Sequence, residues 1–221
     1  MNPCFAAGIV ATIVIGLTLD AQGERWAQPL VNVVAWAMFA GLLAASDRQD
    51  RVAYLSCLLL ATGGEVFLAL VWGVYDYRLG NLPLFVPPGH VLLYALGRWI
   101  ADRIPFTASG LACLVVLALA AILATWGIDQ LSAPLAVLFV LCMRYGPAPN
   151  LYAVMFVLAL AMELLGTGLG NWTWREHAPW FGWSTLNPPF AAGAFYCALD
   201  LLVGRLMQRR RSSAGIPVRV R

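Results

Sequence analysis

The chain has 221 residues, 61% of them apolar and 11% charged, against about 45–50% and about 25% in an ordinary soluble domain. This composition excludes a nucleic-acid binder, a disordered regulator and a disulfide-stapled secreted domain, and it indicates a protein that crosses a membrane several times. The formal charge is +3, all 14 basic residues are arginine, and six of those lie from Arg205 onward.

A bilayer core needs about 20 apolar residues of helix, and runs of this kind fall in eight places. In chain order they are Pro3–Leu19, Trp26–Ala45, Val52–Tyr75, Pro88–Ile104, Ser109–Trp126, Leu131–Tyr145, Leu151–Gly170 and Pro188–Met207. The runs are continuous rather than alternating, which selects helix over strand. The expected fold is all-α, a polytopic membrane bundle of about eight transmembrane helices. The first run lacks a basic leader and a small-residue cleavage site, so it reads as a retained span rather than a signal peptide.

With eight spans both termini share one side. That side carries 11 arginines, and the other carries only Arg25, Arg78 and Arg175. Arginine-rich loops stay in the cytoplasm, so both termini are expected there, in a multi-pass protein of a bacterial inner membrane. The five cysteines are odd in number, sit in apolar runs and have no ligand-like spacing. They point to no disulfide framework and no metal site, and nothing in the chain calls for a cofactor.

Two segments about 98 residues apart share an order of unusual residues. The first has Glu65, Gly73, Tyr75-x-Tyr77, Pro87-Pro88-Gly89-His90 and Tyr94. The second has Glu163, Gly170, Trp172-x-Trp174, Asn187-Pro188-Pro189 and Tyr196. The glutamate-to-glycine interval is eight residues in one and seven in the other, while glycine to the aromatic pair is two in both. The order predicts two four-helix repeats of the same orientation, residues 1–105 and 106–208, followed by a basic cytoplasmic tail, residues 209–221. Helices three, four, seven and eight would then face a central cavity.

Three carboxylates lie deep within the apolar runs, each about a dozen residues from one end: Glu65, Glu163 and Asp200. A charge at the bilayer centre costs about 2.5–3.5 kcal/mol on insertion scales, so these groups are expected near the midplane, turned toward a cavity or each other. Buried acids held close together give one pocket a proton donor and a proton acceptor, which is what general acid–base chemistry requires. His90 follows helix-breaking proline and glycine, where it could relay protons or ligate a metal, or simply meet headgroups and water at the interface. The expected catalytic set is Glu65, Glu163, Asp200 and His90.

Trp72, Tyr75, Tyr77, Trp172 and Trp174 gather at one face, as an interfacial belt or as walls whose π faces stabilise a cation. With Asn187, Tyr94 and Tyr196 they form the expected substrate-binding set. Gly166 and Gly170 make a Gly-x-x-x-Gly step that permits close helix contact. No phosphate-binding loop, zinc-protease motif or nucleophile elbow is present, and without lysine no Schiff base forms.

The stretch Glu163-Leu164-Leu165-Gly166-Thr167-Gly168-Leu169-Gly170-Asn171-Trp172-Thr173-Trp174 resembles the glutamate–glycine–aromatic signature of integral-membrane carotenoid biosynthesis proteins, a family that includes carotenoid hydratases. Glu65 through Tyr77 is similar to the same pattern more loosely. The resemblance implies that Glu163 and Glu65 match the family's acidic positions. The chain departs in lacking Pro-Phe before the glycine and in having Trp where Tyr is usual.

Together these features lead to an expected membrane-embedded lyase or isomerase. It would perform hydration, cyclisation or isomerisation on an isoprenoid or carotenoid-like lipid drawn from the bilayer, and homo-oligomerisation is left open. A proton-coupled transporter or a lipid-binding membrane module is the alternative, and a scaffold subunit is a third.

Overall fold

The structure, a computed structural model, describes residues 1–104 and 109–213. Eight α-helices run through them: α1 Pro3–Ala21, α2 Ala27–Ala44, α3 Arg48–Glu65, α4 Val86–Ala101, α5 Ser109–Thr125, α6 Ser132–Tyr145, α7 Pro149–Gly168 and α8 Gly193–Ser213. Four short strands lie between them: β1 Tyr75–Tyr77, β2 Trp172–Trp174, β3 His177–Ala178 and β4 Trp183–Ser184. The all-α class is as expected. Four helical segments are long and apolar enough to cross a membrane: Pro3–Ala21, Ala27–Ala44, Arg48–Trp72 and Pro149–Gly168. Leu59, Val33, Val157 and Leu70 remain 64–74% exposed on the outside of the bundle. Large apolar side chains turned outward on several helices suit a lipid environment rather than water.

The centre is a ring of four helices, in which α3 packs on α4 and α8, and α7 packs on α8 and α4. The α1–α2 hairpin lies against α4, and the α5–α6 hairpin lies against α7 and α8. Helices α1 and α3 are started by side-chain caps, Asn2 accepting from the Phe5 N–H and Asp47 from the Asp50 N–H, each at 2.8 Å. Such caps satisfy donors that the first turn leaves free. Near Met1, Trp99 donates to the Met1 carbonyl at 3.1 Å, and Arg205 in the second half of α8 donates to the Tyr145 carbonyl at 2.9 Å. This is the terminal end of the bundle. The strands close the opposite end.

Several expected boundaries move. The third run does not stay α-helical to Tyr75: after Glu65 it widens into a π-helical segment, Val66–Trp72, and stops at Gly73, whose φ of 68° is left-handed. Glycine adopts that conformation without the Cβ clash other residues suffer. Gly170, at φ 76°, follows α7 in the same way. A π turn holds more residues than an α turn, and the glutamate-to-glycine interval that contains it is eight residues, against seven after Glu163. The eighth run starts later than expected, because Pro188 and Pro189 precede the helix, and α8 then continues to Ser213. The part of the basic tail from 209 to 213 is therefore helical, and residues 214–221 lie outside the described residues.

Candidate functional site

Strands β1 and β2 pair antiparallel, with Tyr75 opposite Trp174, Asp76 opposite Thr173 and Tyr77 opposite Trp172. Alternate residues of a strand point to the same face. The four aromatic side chains therefore point together into the bundle, while Asp76 and Thr173 point out. The inward face covers Glu65 and Glu163, each 6% exposed.

Each acid meets three side-chain partners, two on Oε2 and one on Oε1. Tyr75 and Tyr77 donate to Oε2 of Glu65 at 2.7 and 2.6 Å, and Nε2 of His90 meets Oε1 at 2.7 Å. Trp172 and Trp174 donate their indole N–H to Oε2 of Glu163 at 2.9 and 3.0 Å, and Tyr196 donates to Oε1 at 3.1 Å. The two sets are interleaved: the His90 and Tyr196 rings stack at 4.8 Å, and Tyr75 lies 4.9 Å from Trp174. Burial first, and then the Glu65 carboxylate, push the Tyr75 and Tyr77 phenols well above their ordinary range. Both remain O–H donors.

The local sequence makes this arrangement possible. A Cβ on Gly166 would fall 2.0 Å from the Trp172 ring, so the indole reaches Glu163 only because that position has no side chain. Asn187 accepts from the Trp174 backbone N–H at 2.9 Å and holds β2 in place.

Two apolar chambers of about 60 Å³ each flank the acids. The first lies toward α1 and α2, against Ile13, Leu17 and Val31, and the second lies between α3 and α8, against Leu60, Leu68 and Phe195. Glu65, Tyr75, His90, Glu163 and Tyr196 border both. They form a polar partition between two greasy compartments.

Eight of the twelve site residues expected from sequence meet here: Glu65, Glu163, His90, Tyr75, Tyr77, Trp172, Trp174 and Tyr196. Four do not. Asp200 and Tyr94 border a different cavity at the terminal end, because each lies one helical turn beyond the residue that reaches an acid. Trp72 turns away, donating to the Pro179 carbonyl at 2.8 Å and stacking on Trp180 at 5.7 Å. Asn187 touches backbone and not a carboxyl group. Gly166 serves the Trp172 ring rather than a helix neighbour, and Gly170 serves the left-handed turn.

Sequence reading also missed a buried anchor. Asp20, 1% exposed, accepts from Asn171 at 2.9 Å and pairs with Arg78 at 3.4 Å. It ties the end of α1 to both strands. Asp20 ends an apolar run, which reads as an ordinary boundary residue. Asp129 is a second such residue, accepting from the Ser132 hydroxyl at 2.5 Å and the Phe190 N–H at 2.8 Å. On the outer face, Arg175 makes a two-point pair with Asp76 at 3.0 Å, which raises the guanidinium above its ordinary value. Among the described residues no group of three or more His, Cys, Asp or Glu side chains could hold a metal ion.

No family model, no curated protein and no solved structure matches the chain.

Proposed function

We propose that the protein is an integral membrane enzyme that performs acid–base chemistry on an apolar isoprenoid or carotenoid-like lipid. The observation that carries this reading is the pair of buried glutamates, each held by three side-chain partners, standing between two apolar chambers. Fixed donors around both acids supply pre-organised electrostatics without reorganisation during reaction. The apolar chambers favour a hydrocarbon ligand over a polar solute, and so favour an enzyme on lipid over a carrier of ions or metabolites.

The two acids have unlike partners, and that divides their roles. Indole N–H groups only donate, so Oε2 of Glu163 is always an acceptor. A proton on Glu163 therefore sits on Oε1, and the Tyr196 hydroxyl then turns to accept from it instead of donating. Glu163 delivers that proton to an alkene carbon, where a C–H bond forms and the adjacent carbon becomes cationic. The ring faces of Tyr75, Tyr77, Trp172 and Trp174 and the Glu65 carboxylate stabilise the charge. Glu65 with His90 then removes a proton: from the neighbouring carbon, which gives isomerisation; from the carbon beside the new cation after a second double bond of the substrate has closed a C–C bond onto the first, which gives cyclisation; or from an attacking water, which gives hydration. One proton leaves the enzyme and one returns, so the balance closes.

The same reading includes eight spans in two repeats of like orientation. Antiparallel pairing of β1 with β2 supports it. If Tyr75, Asp76 and Tyr77 correspond to Trp172, Thr173 and Trp174, the observed register is that of a two-fold axis passing between Asp76 and Thr173. The α3–α4 and α7–α8 pairs, and the α2–α4 and α6–α8 contacts, follow the same exchange. In space His90 is then the counterpart of Tyr196, and Tyr94 that of Asp200.

Purification of wild type and Glu163→Gln, followed by mass spectrometry of co-extracted lipid, tests the function. A lipid altered in double-bond position, ring count or water content, present only with wild type, is expected. Identical lipid from both proteins would overturn the proposal.

A further inference from the structure

Asp200 stands one turn of α8 beyond Tyr196, about 6 Å along the helix, and borders the largest of the three cavities. This vestibule, about 290 Å³, opens at the terminal end between the first turns of α3 and α7 and the last turns of α4 and α8. Asp50, Arg98, Tyr94, Tyr152 and Gly204 contribute to its walls. Asp200 is 2% exposed, and both of its carboxylate oxygens, like the Tyr152 hydroxyl, are buried without a hydrogen-bond partner among the described residues.

A bare carboxylate in such a place is costly, and it is avoided by pairing, by hydrogen bonding or by a proton. Pairing is not available. Arg98 is held by Asp50 at 2.9 Å and lies over the Tyr54 and Tyr94 rings at 5.7 Å each. The titratable groups around Asp200 are Cys57 on α3, Tyr94 on α4, Cys142 on α6, Tyr152 on α7 and Cys197 on its own helix. None of them is a cation.

We propose that Asp200 is a proton-binding site served by water in the vestibule, and that it forms the aqueous entry to the buried acids from the terminal end of the bundle. The cavity is polar and has room for several waters, which need only about 10–15 Å³ each on this measure. The opposite end is closed by the paired strands and their buried aromatic side chains. One turnover leaves a proton on Glu65 and none on Glu163. Resetting the pair takes one proton in and releases one, both carried by water. That resetting role rests on the acid–base reading above, whereas the proton site does not.

Infrared difference spectroscopy of the full-length protein, transferred from H2O to D2O, tests the site. A carboxylic-acid C=O band is expected that survives in Glu163→Gln, disappears in Asp200→Asn and changes frequency in Asp200→Glu, which retains the acid if the asparagine variant does not fold. Gly204→Leu fills the vestibule, because a Cβ there meets only the Pro147 ring at 3.6 Å, and it should slow deuterium exchange of that band at least tenfold. The proposal is overturned if no band depends on Asp200, or if exchange in Gly204→Leu keeps the wild-type rate. Failure of the acid–base reading would show separately, as an unchanged lipid product in Glu163→Gln.

Discussion

Two residues of the same type, Glu65 and Glu163, are surrounded by different chemistry. Glu65 receives two phenols and an imidazole, while Glu163 receives two indoles and a phenol. Replacing Glu163 by glutamine keeps an acceptor for the indoles and removes the proton. Turnover in Glu163→Gln should therefore fall by about 10²–10⁴, the usual contribution of general acid catalysis, with little change in thermal stability in detergent. Tyr77→Phe removes one of three donors from Glu65 and leaves that oxygen with Tyr75 alone. A hydrogen bond to a charged group is worth about 1.5–3 kcal/mol, and an unfolding midpoint lowered to that extent is expected. Both glutamates were legible as costly acids in apolar runs, and their aromatic partners were legible from the repeated spacing. Asp200 and Tyr94 share the expected site in sequence because helical periodicity gives the face a residue occupies and not its depth along the axis. Four residues beyond Tyr196 and His90, each points to the same side of its helix but one turn deeper.

At the scale of elements, the strands are the part that composition did not disclose. The aromatic residues read as an interfacial belt or as cation-stabilising walls, and neither reading contains a strand. Pairing between segments distant in sequence creates the strands, because β1 and β2 satisfy each other's backbone groups over the acids. Gly166→Ala tests how tightly β2 is seated. The added Cβ would lie 2.0 Å from the Trp172 ring, and overpacking of this kind costs about 1–3 kcal/mol. A lower melting temperature with altered tryptophan fluorescence is expected, because the indole must leave Glu163. Asn187→Ala should also destabilise, by about 1–3 kcal/mol, since it leaves the Trp174 N–H without its acceptor. The chemical unfolding midpoint measures that loss.

Across the whole molecule, the arginines divide unequally between the two ends of the bundle. Arg48, Arg51, Arg98, Arg103 and Arg144 lie at or beside helix ends on the terminal side and Arg205 reaches the end of α6, whereas Arg25, Arg78 and Arg175 lie among the loops and strands at the other. A reporter that is active only in the cytoplasm, fused after Arg221, should be active if both termini lie there, and inactivity would reverse the orientation. The sequence alone determined the helical class, most of the apolar runs and the two acids, because burial of apolar surface and the cost of buried charge depend on residue type and order. The tertiary structure decided which polar groups share a compartment: Glu65 with Glu163 under a two-stranded cover, and Asp200 in a separate vestibule. That division depends on how deep each residue sits along its helix, on a single π-helical widening and on one ring packed against a bare glycine. All three are set by contacts between segments far apart in the chain.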